Sequence, residues 1–381
     1  MTQVFVPREI QDGESRVAAT PETVKRLKKL GLDVTVETGA GAASHISDDG
    51  YGGAGASLVD AASGWAGADL VLKVNPPEQG EVDRMKPGAL LVSFVWSVHD
   101  PDLAARLADR KVSVLAMEAV PRISRAQKMD ALSSQANLAG YKAVLMGADA
   151  LARIMPMMVT AAGTLKPARV VVMGAGVAGL QAIATAKRLG AIVEASDIRP
   201  EVKEQIESLG GTFIETVEAS GEGGYAKELT DEQKQRQQEI IESHLVEADM
   251  VICTALIPGR KAPILVPAHV VEKMKQGSVI VDLAVTQGGN CALAEEGRVT
   301  KHGVTIIGEP NVPAMLATDS SNVYARNILA LVMDVVDKNE GGAIKLDLED
   351  EVVDGALIIQ DGEVRHGPTR EAIENRGVSA S

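Results

Sequence analysis

The feature that most constrains this chain is the stretch Val170-Val-Val-Met-Gly174-Ala-Gly176-Val-Ala-Gly179, which sets the spacing G-x-G-x-x-G directly behind an apolar run. Apolar residues then recur at Leu180, Ile183, Ala184 and Leu189, as on one face of a helix. Strand, glycine turn and helix in this order make the phosphate-binding corner of a Rossmann unit. Gly174 permits the tight turn, Gly176 lets a pyrophosphate approach the backbone, and Gly179 lets the helix pack against the strand. Free N–H groups and the positive end of the helix dipole then hold the phosphates. The spacing alone is a weak signal. Here it has the strand, the helix and an acidic residue, Asp197, at the end of the next strand. A carboxylate there accepts from both ribose hydroxyls and repels a 2′-phosphate, so the expected nucleotide is NAD(H) rather than NADP(H). Arg199, two residues on, is the one neighbour that could welcome a 2′-phosphate.

At 381 residues the chain suits two domains of roughly 150–200 residues each. Strand signals at 4–7, 33–37, 70–74, 90–95 and 112–117 alternate with helical stretches, including 20–30 behind a capping Thr20 and Pro21. A second series has strands at 169–173, 192–196, 250–254, 279–283 and 304–307, with helices at 177–189 and 201–209. Such alternation implies an α/β fold of two Rossmann-like, doubly wound parallel-sheet domains with a cleft between them. The halves also echo each other: Ala68-Asp-Leu-Val-Leu-Lys-Val74 resembles Ala248-Asp-Met-Val-Ile-Cys-Thr254, and Met85-Lys-Pro-Gly-Ala-Leu-Leu-Val92 resembles Met274-Lys-Gln-Gly-Ser-Val-Ile-Val281. A helical pattern from Val323 to Val335 leads to expected strands at 345–348 and 356–360, flanking a turn at Asp354-Gly355. If that tail folds back, the domains are 1–132 plus 321–381, and 133–320.

Composition narrows the function classes. A formal charge of −14 argues against nucleic acid and against adsorption to an anionic leaflet. With only 2% aromatic residues, the core must be built from small and aliphatic side chains. No apolar run is long enough to span a bilayer, and charge within the first ten residues leaves no signal-peptide apolar region. Two cysteines and six scattered histidines give no disulfide framework and no metal-ligand spacing. The expectation is a cytoplasmic, metal-free protein with Cys253 as core packing.

A dehydrogenase normally needs a proton acceptor near the substrate carbon, and the candidates are His99, Lys73 and Asp130. Lys73 ends a strand, where ligands sit in open α/β sheets, but it also reads as a solvated lysine. His99 lies in a polar turn and reads equally as a surface residue. Most conspicuous is Pro121-Arg-Ile-Ser-Arg-Ala-Gln-Lys-Met-Asp130, whose arginines, glutamine and aspartate could bind phosphate, amide or carboxylate.

That segment continues as Ala131-Leu-Ser-Ser-Gln-Ala-Asn-Leu-Ala-Gly140. With the glycine fingerprint, Gly223-Gly-Tyr-Ala-Lys227, Thr254-Ala-Leu-Ile-Pro-Gly259 and Gly288-Gly-Asn290, it closely resembles the NAD(H)-binding α-subunit component of proton-translocating (Re/Si-specific) NAD(P) transhydrogenases. The resemblance implies that Arg122, Gln127, Lys128, Met129, Asp130 and Ser133 hold the nicotinamide end. It places Gly174, Gly176, Val177, Gly179, Asp197, Ile198, Arg199 and Leu256 on the adenosine and pyrophosphate side. Gly224, Tyr225 and Gln237 would belong to a mobile loop, 219–237, that closes over the nucleotide. Arg122, Gln127, Asp130, Ser133 and Tyr225 would bear on catalysis, with Gln127 facing NADP(H) on a partner. The implied partners are an NADP(H)-binding β-subunit and membrane-spanning subunits, with a homodimer of this chain. That assembly would hold it peripherally on the inner face of a bacterial plasma membrane.

The N-terminal third also resembles alanine dehydrogenase (Val6-Pro-Arg-Glu, Glu14-Ser-Arg-Val-Ala, Val71-Leu-Lys-Val). Where those enzymes place a catalytic histidine this chain has Trp96, and where they place an aspartate it has Thr286. Losing both removes the proton chemistry that amine oxidation needs, whereas direct hydride transfer between nicotinamides needs neither. A non-catalytic NAD(H)-sensing module would share the fingerprint and Asp197, and stands as a further alternative.

Overall fold

The computed structural model describes residues 1–216, 230–256 and 260–376, which form two compact units, 1–135 with 313–376 and 136–312. The first is built on an 8-stranded sheet. Its six parallel strands lie in the order Ser57–Val59, Asp33–Glu37, Gln3–Val6, Leu70–Leu72, Leu90–Ser93, Ser113–Ala116. In chain order that is third, second, first, fourth, fifth, sixth. Leu70–Leu72, Leu90–Ser93 and Ser113–Ala116 are buried along their whole length, as parallel strands covered on both faces must be. The returning chain supplies the helix Ala317–Val335, whose Tyr324, Ile328, Leu331 and Val332 enter the core. It then adds the hairpin Leu357–Gln360 and Glu363–Val364, antiparallel to Ser113–Ala116. The hairpin turns at Asp361-Gly362, with φ of 49° and 92°, the left-handed pair that a two-residue hairpin loop demands.

The second unit repeats the plan on a 7-stranded sheet. Its strands run Thr212–Phe213, Ile192–Ser196, Arg169–Met173, Met250–Cys253, Val279–Asp282 and Val304–Gly308, all parallel, with Gly297–Lys301 antiparallel at the edge. Again the first five strands in chain order are arranged third, second, first, fourth, fifth. The echoed segments therefore occupy equivalent places, the fourth and fifth strands of each sheet. The equivalence extends to side chains. Asp69 accepts from the N–H of Gln3 at the head of the first strand and pairs with Lys86. Asp249 accepts from the N–H of Arg169 and pairs with Lys275. An internal duplication accounts for both.

Several expectations need correction. No strand forms at 345–348; the chain pairs earlier, as Val336–Asp337 with Ala343–Ile344. Asp354-Gly355 is not a turn but part of the helix Glu351–Ala356, because the Asp350 carboxylate caps its first N–H groups. The expected loop 219–237 includes two turns of the helix Asp231–Val246. Thr230 and Gln233 cap that helix reciprocally, and Asp231 and Glu232 complement its dipole. The remainder, 217–229, lies outside the described residues. The sequence pattern also gives no sign of the 20-residue helix Ala131–Ala150 or of the exposed hairpin Met158–Thr160 with Gly163–Leu165. Among the described residues no helix is long and apolar enough to cross a membrane, and no cluster of His, Cys, Asp or Glu is placed to hold a metal.

Candidate nucleotide site

In the second unit the sheet order reverses between Arg169–Met173 and Met250–Cys253. Ligands of open α/β sheets bind beyond the carboxyl ends of the strands at such a switch point. The fingerprint glycines sit there, and each answers to a different constraint. Gly174 has φ +96°, and a Cβ on it would lie 2.8 Å from Thr254 Oγ1. A Cβ on Gly179 would fall 1.9 Å from the carbonyl oxygen of Gly174, so only glycine lets the helix meet the turn. A Cβ on Gly176 would meet nothing within 4 Å. The second glycine thus faces open space, as the residue over which a pyrophosphate lies should. Gly176 is also the N-cap of the helix Val177–Arg188 and brings no side-chain acceptor, leaving first-turn N–H groups to a ligand.

Around this turn stand Val177, Ile198 and Leu256, which are 42%, 91% and 46% exposed. Apolar side chains left in solvent at a switch point suit one face of a flat heterocycle such as adenine. The Asp197 carboxylate turns inward. One oxygen accepts from the N–H of Ala175 at 2.7 Å and from Arg199 at 3.0 Å, and the other from the backbone N–H and Nε of Arg199. Burial pushes this carboxyl up, but the Arg199 guanidinium and the Ala175 and Arg199 N–H groups outweigh it and hold it below the usual range. The carboxylate expected to be open to both ribose hydroxyls has its acceptor positions filled, because Arg199 folds back onto it. A ribose must therefore displace Arg199. Gln237 donates to Thr216 Oγ1 at 3.0 Å, tying together the two ends of the segment that contains Gly224 and Tyr225, both outside the described residues.

The loop 121–130 belongs to the first unit and contains a short 3-10 helix, Ser124–Met129. Arg125 pairs with Asp334 and Asp350, and Asn327 donates to the carbonyl of Lys128 at 2.9 Å, so the loop is fixed to the helix Ala317–Val335. Asp130 and Ser133 engage each other: the carboxylate accepts from the N–H of Ser133 at 2.8 Å and from its hydroxyl at 2.6 Å. That is the capping geometry that starts the helix Ala131–Ala150. Met129 is buried in the core, so only its main chain is open to a ligand. Arg122, Gln127 and Lys128 are exposed, and no described residue engages their side chains. The sequence marks the loop correctly as a cluster, but the structure separates its anchors from its free groups.

Of the candidate proton acceptors, Lys73 is corrected outright. Its Nζ lies 2.8 Å from Glu9 and 3.5 Å from Glu81 in a pocket that leaves the lysine side chain 1% exposed. Burial lowers its pKa, but the two carboxylates outweigh that and raise it, so it remains an ammonium and cannot act as a base. His99 is exposed, with its ring edge toward Trp96. Trp96 follows the fifth strand with φ +52°, held there because the buried Glu118 carboxylate accepts from the N–H groups of Val95 and Trp96. Burial raises the Glu118 carboxyl, against the pull of those backbone donors. Thr286 is exposed in the 3-10 turn Val285–Gln287. Sequence reasoning gives Thr254 no role, yet its hydroxyl donates to the carbonyl of Gly174 at 2.9 Å. The available signal is its position directly after the strand that flanks the fingerprint.

Two duplicated α/β units, one carrying a dinucleotide fingerprint at its switch point, define a protein of the Rossmann class. The chain belongs to the alanine dehydrogenase/PNT family, whose N-terminal domain matches residues 5–139 and whose C-terminal domain matches residues 143–367. It is 50% identical to the first of the separate pieces that make up the NAD(P) transhydrogenase subunit alpha of Rhodospirillum rubrum, over 96% of this chain and 98% of that one. The crystal structure of transhydrogenase from Sinorhizobium meliloti superposes with a TM-score of 0.87 at 45% identity, covering 95% of this chain and 99% of that one. Similarity to the alanine dehydrogenase of Bacillus subtilis is lower, 30% identity over 95% of this chain and 92% of the relative.

Proposed function

We propose that this chain is the NAD(H)-binding component of a proton-translocating NAD(P) transhydrogenase, and that hydride passes directly between its nucleotide and NADP(H) on a partner subunit. The observation that carries the reading is the fingerprint: Gly174 and Gly179 are confined by their neighbours, while Gly176 opens onto free space at the head of a helix. The higher identity to the transhydrogenase than to the dehydrogenase gives it direction. So do Trp96 and Thr286, neither of which can exchange a proton as a histidine–carboxylate pair does. The bound dihydronicotinamide supplies the hydride, and no proton leaves or enters carbon-bound positions. The chain's own tasks are to bind, to orient and to exclude water, since direct transfer requires an approach of roughly 3–3.5 Å.

On this reading the first-turn N–H groups of Val177–Arg188 hold the pyrophosphate, and Val177, Ile198 and Leu256 flank the adenosine. Arg122 and Gln127, free in the loop, serve the nicotinamide end, while Asp130 and Ser133 set the loop's shape. Tyr225 would serve a closing segment. The two nucleotide couples are chemically alike, so a membrane partner must bias the reaction. One charge across ~100 mV is worth about 2.3 kcal/mol, a ratio of roughly 50-fold. A homodimer of this chain, held at the inner face of a bacterial plasma membrane by its partners, is the assembly we propose.

The test is an absorbance assay with NADPH and an NAD⁺ analogue whose reduced form absorbs distinctly, run with and without an NADP-binding transhydrogenase component. Turnover only with the partner supports the reading. Turnover with NAD⁺ and L-alanine alone would move the chain to amino-acid oxidation. Two substitutions refine it. Gln127→Asn should slow transfer by about tenfold with NADH affinity retained, since an amide one methylene shorter keeps its polarity but not its reach; parallel loss of binding and rate would remove Gln127 from the transfer step. Asp197→Ala removes the repelling charge and frees Arg199 for a 2′-phosphate. The preference for NADH over NADPH, read as a ratio of dissociation constants, should fall about tenfold or more. An unchanged ratio would deny Asp197 its ribose role.

A further inference from the structure

We propose that Asn290 is a positioning residue of the nucleotide site, acting through Ala255 and Thr254 on the fingerprint turn. The proposal rests on the nucleotide reading above. Asn290 is fully buried, and its amide is used on both sides. Its Oδ1 accepts from the N–H of Ala255 at 3.0 Å, and its Nδ2 donates to the carbonyls of Ala255 at 2.9 Å and Pro263 at 2.8 Å. Its own carbonyl accepts from the N–H groups of Leu265 and Val266. One side chain thus grips the start of the segment that follows the fourth strand and, with its backbone, the return of that segment. The residue directly before the gripped peptide is Thr254, whose hydroxyl donates to the Gly174 carbonyl and whose Oγ1 would meet a Cβ on Gly174 or Gly179. The residue directly after is the exposed Leu256. An amide that pairs both the N–H and the C=O of one residue fixes that peptide as a strand neighbour would, at a place where no strand continues. Ala255 is held still, and with it the wall against which the fingerprint turn rests.

Asn290 is chemically irreplaceable here because it must both donate and accept. An ionised aspartate accepts only, and would face two carbonyl oxygens; a protonated one recovers one donor. The titratable groups around it are Asp282, whose carboxylate accepts from the N–H of Cys291, the thiols of Cys253 and Cys291, and Lys261 beside Gly288. The experiment titrates the full chain with NADH by equilibrium binding from pH 5.5 to 8.5, as parent, Asn290→Asp, Thr254→Val and the double variant. We expect Asn290→Asp to bind about tenfold more weakly than the parent at pH 8.5, with the deficit shrinking as pH falls. Thr254→Val, close in shape but without the hydroxyl, should weaken binding even if Asn290→Asp folds poorly. The two losses should be less than additive if they lie on one path. A parent that fails to bind NADH overturns the nucleotide reading itself. Parent binding matched by both variants at every pH, with only a lowered melting temperature, overturns the positioning role and leaves the nucleotide reading intact.

Discussion

Gly176→Ala should leave the melting temperature of this chain unchanged or slightly raised and cut NADH affinity about 100-fold, near 2.7 kcal/mol. The backbone at Gly176 has φ −74° and ψ −167°, which any residue adopts, and a Cβ there meets nothing within 4 Å. Removing a glycine's freedom in the unfolded chain even favours folding slightly. The methyl group instead occupies the space over which the phosphates must approach. Gly179→Ala should behave in the opposite way. Its Cβ would fall 1.9 Å from the Gly174 carbonyl oxygen and 3.0 Å from Thr254 Oγ1, so helix and turn must separate. Overpacking of that kind costs about 1–3 kcal/mol, or several degrees of melting temperature for a unit of this size. Thermal unfolding and NADH titration on both variants separate the two glycines. If Gly176→Ala binds NADH like the parent, the pyrophosphate does not lie over this turn.

The contrast shows why this corner is legible in the sequence. Each glycine answers to a constraint set within the strand–turn–helix unit, so spacing alone reveals it. The duplicated sheets are legible for a related reason: the Ala-Asp and Met-Lys pairs that open equivalent strands keep the same two contacts in both halves. What escapes is decided by residues far apart in the chain. Asp354-Gly355 has the composition of a turn, yet Asp350 caps a helix through it. The stretch 138–159 reads only as apolar, and the helix within it starts at a cap, Asp130 with Ser133, whose residue types suggest ligand-binding chemistry. The inward turn of Asp197 depends on where Arg199 folds, and the division of the loop 121–130 into anchors and free groups depends on Asp334, Asp350 and Asn327. Sequence locates the site, but the orientation of its carboxylates needs the tertiary structure.

Lys73 is the sharpest case, and its removal should be among the most destabilising substitutions in the first unit. At the end of a strand it has the sequence context of a solvent-facing or catalytic lysine, but it lies between Glu9 and Glu81, with side chains 1%, 2% and 7% exposed. Glu9 also accepts from the N–H of Val74 at 2.6 Å, so its carboxylate cannot swing out to water without breaking the strand end. Lys73→Met keeps the volume and strands two buried carboxylates, a loss of about 3–5 kcal/mol. The loss should depend on pH in a definite direction. Burial, with the charge of Glu9, already pushes the Glu81 carboxyl up against the pull of Lys73 and the Glu78 N–H, and without the ammonium it must rise further. A folded state that keeps protons the unfolded chain releases is stabilised below the unfolded carboxylate range and loses that advantage as pH rises through the raised value. The deficit of Lys73→Met, measured by urea unfolding, should therefore be larger at pH 8 than at pH 5. Adding Glu81→Gln should recover part of it at pH 8 by removing one of the two like charges. A deficit under about 1 kcal/mol at both pH values would mean that water or relaxation reaches these carboxylates, contrary to their burial here. A deficit that shrinks on acidification would instead make Lys73 a structural cation, which leaves the chain without a lysine base at the head of this strand and agrees with a hydride transfer that needs none.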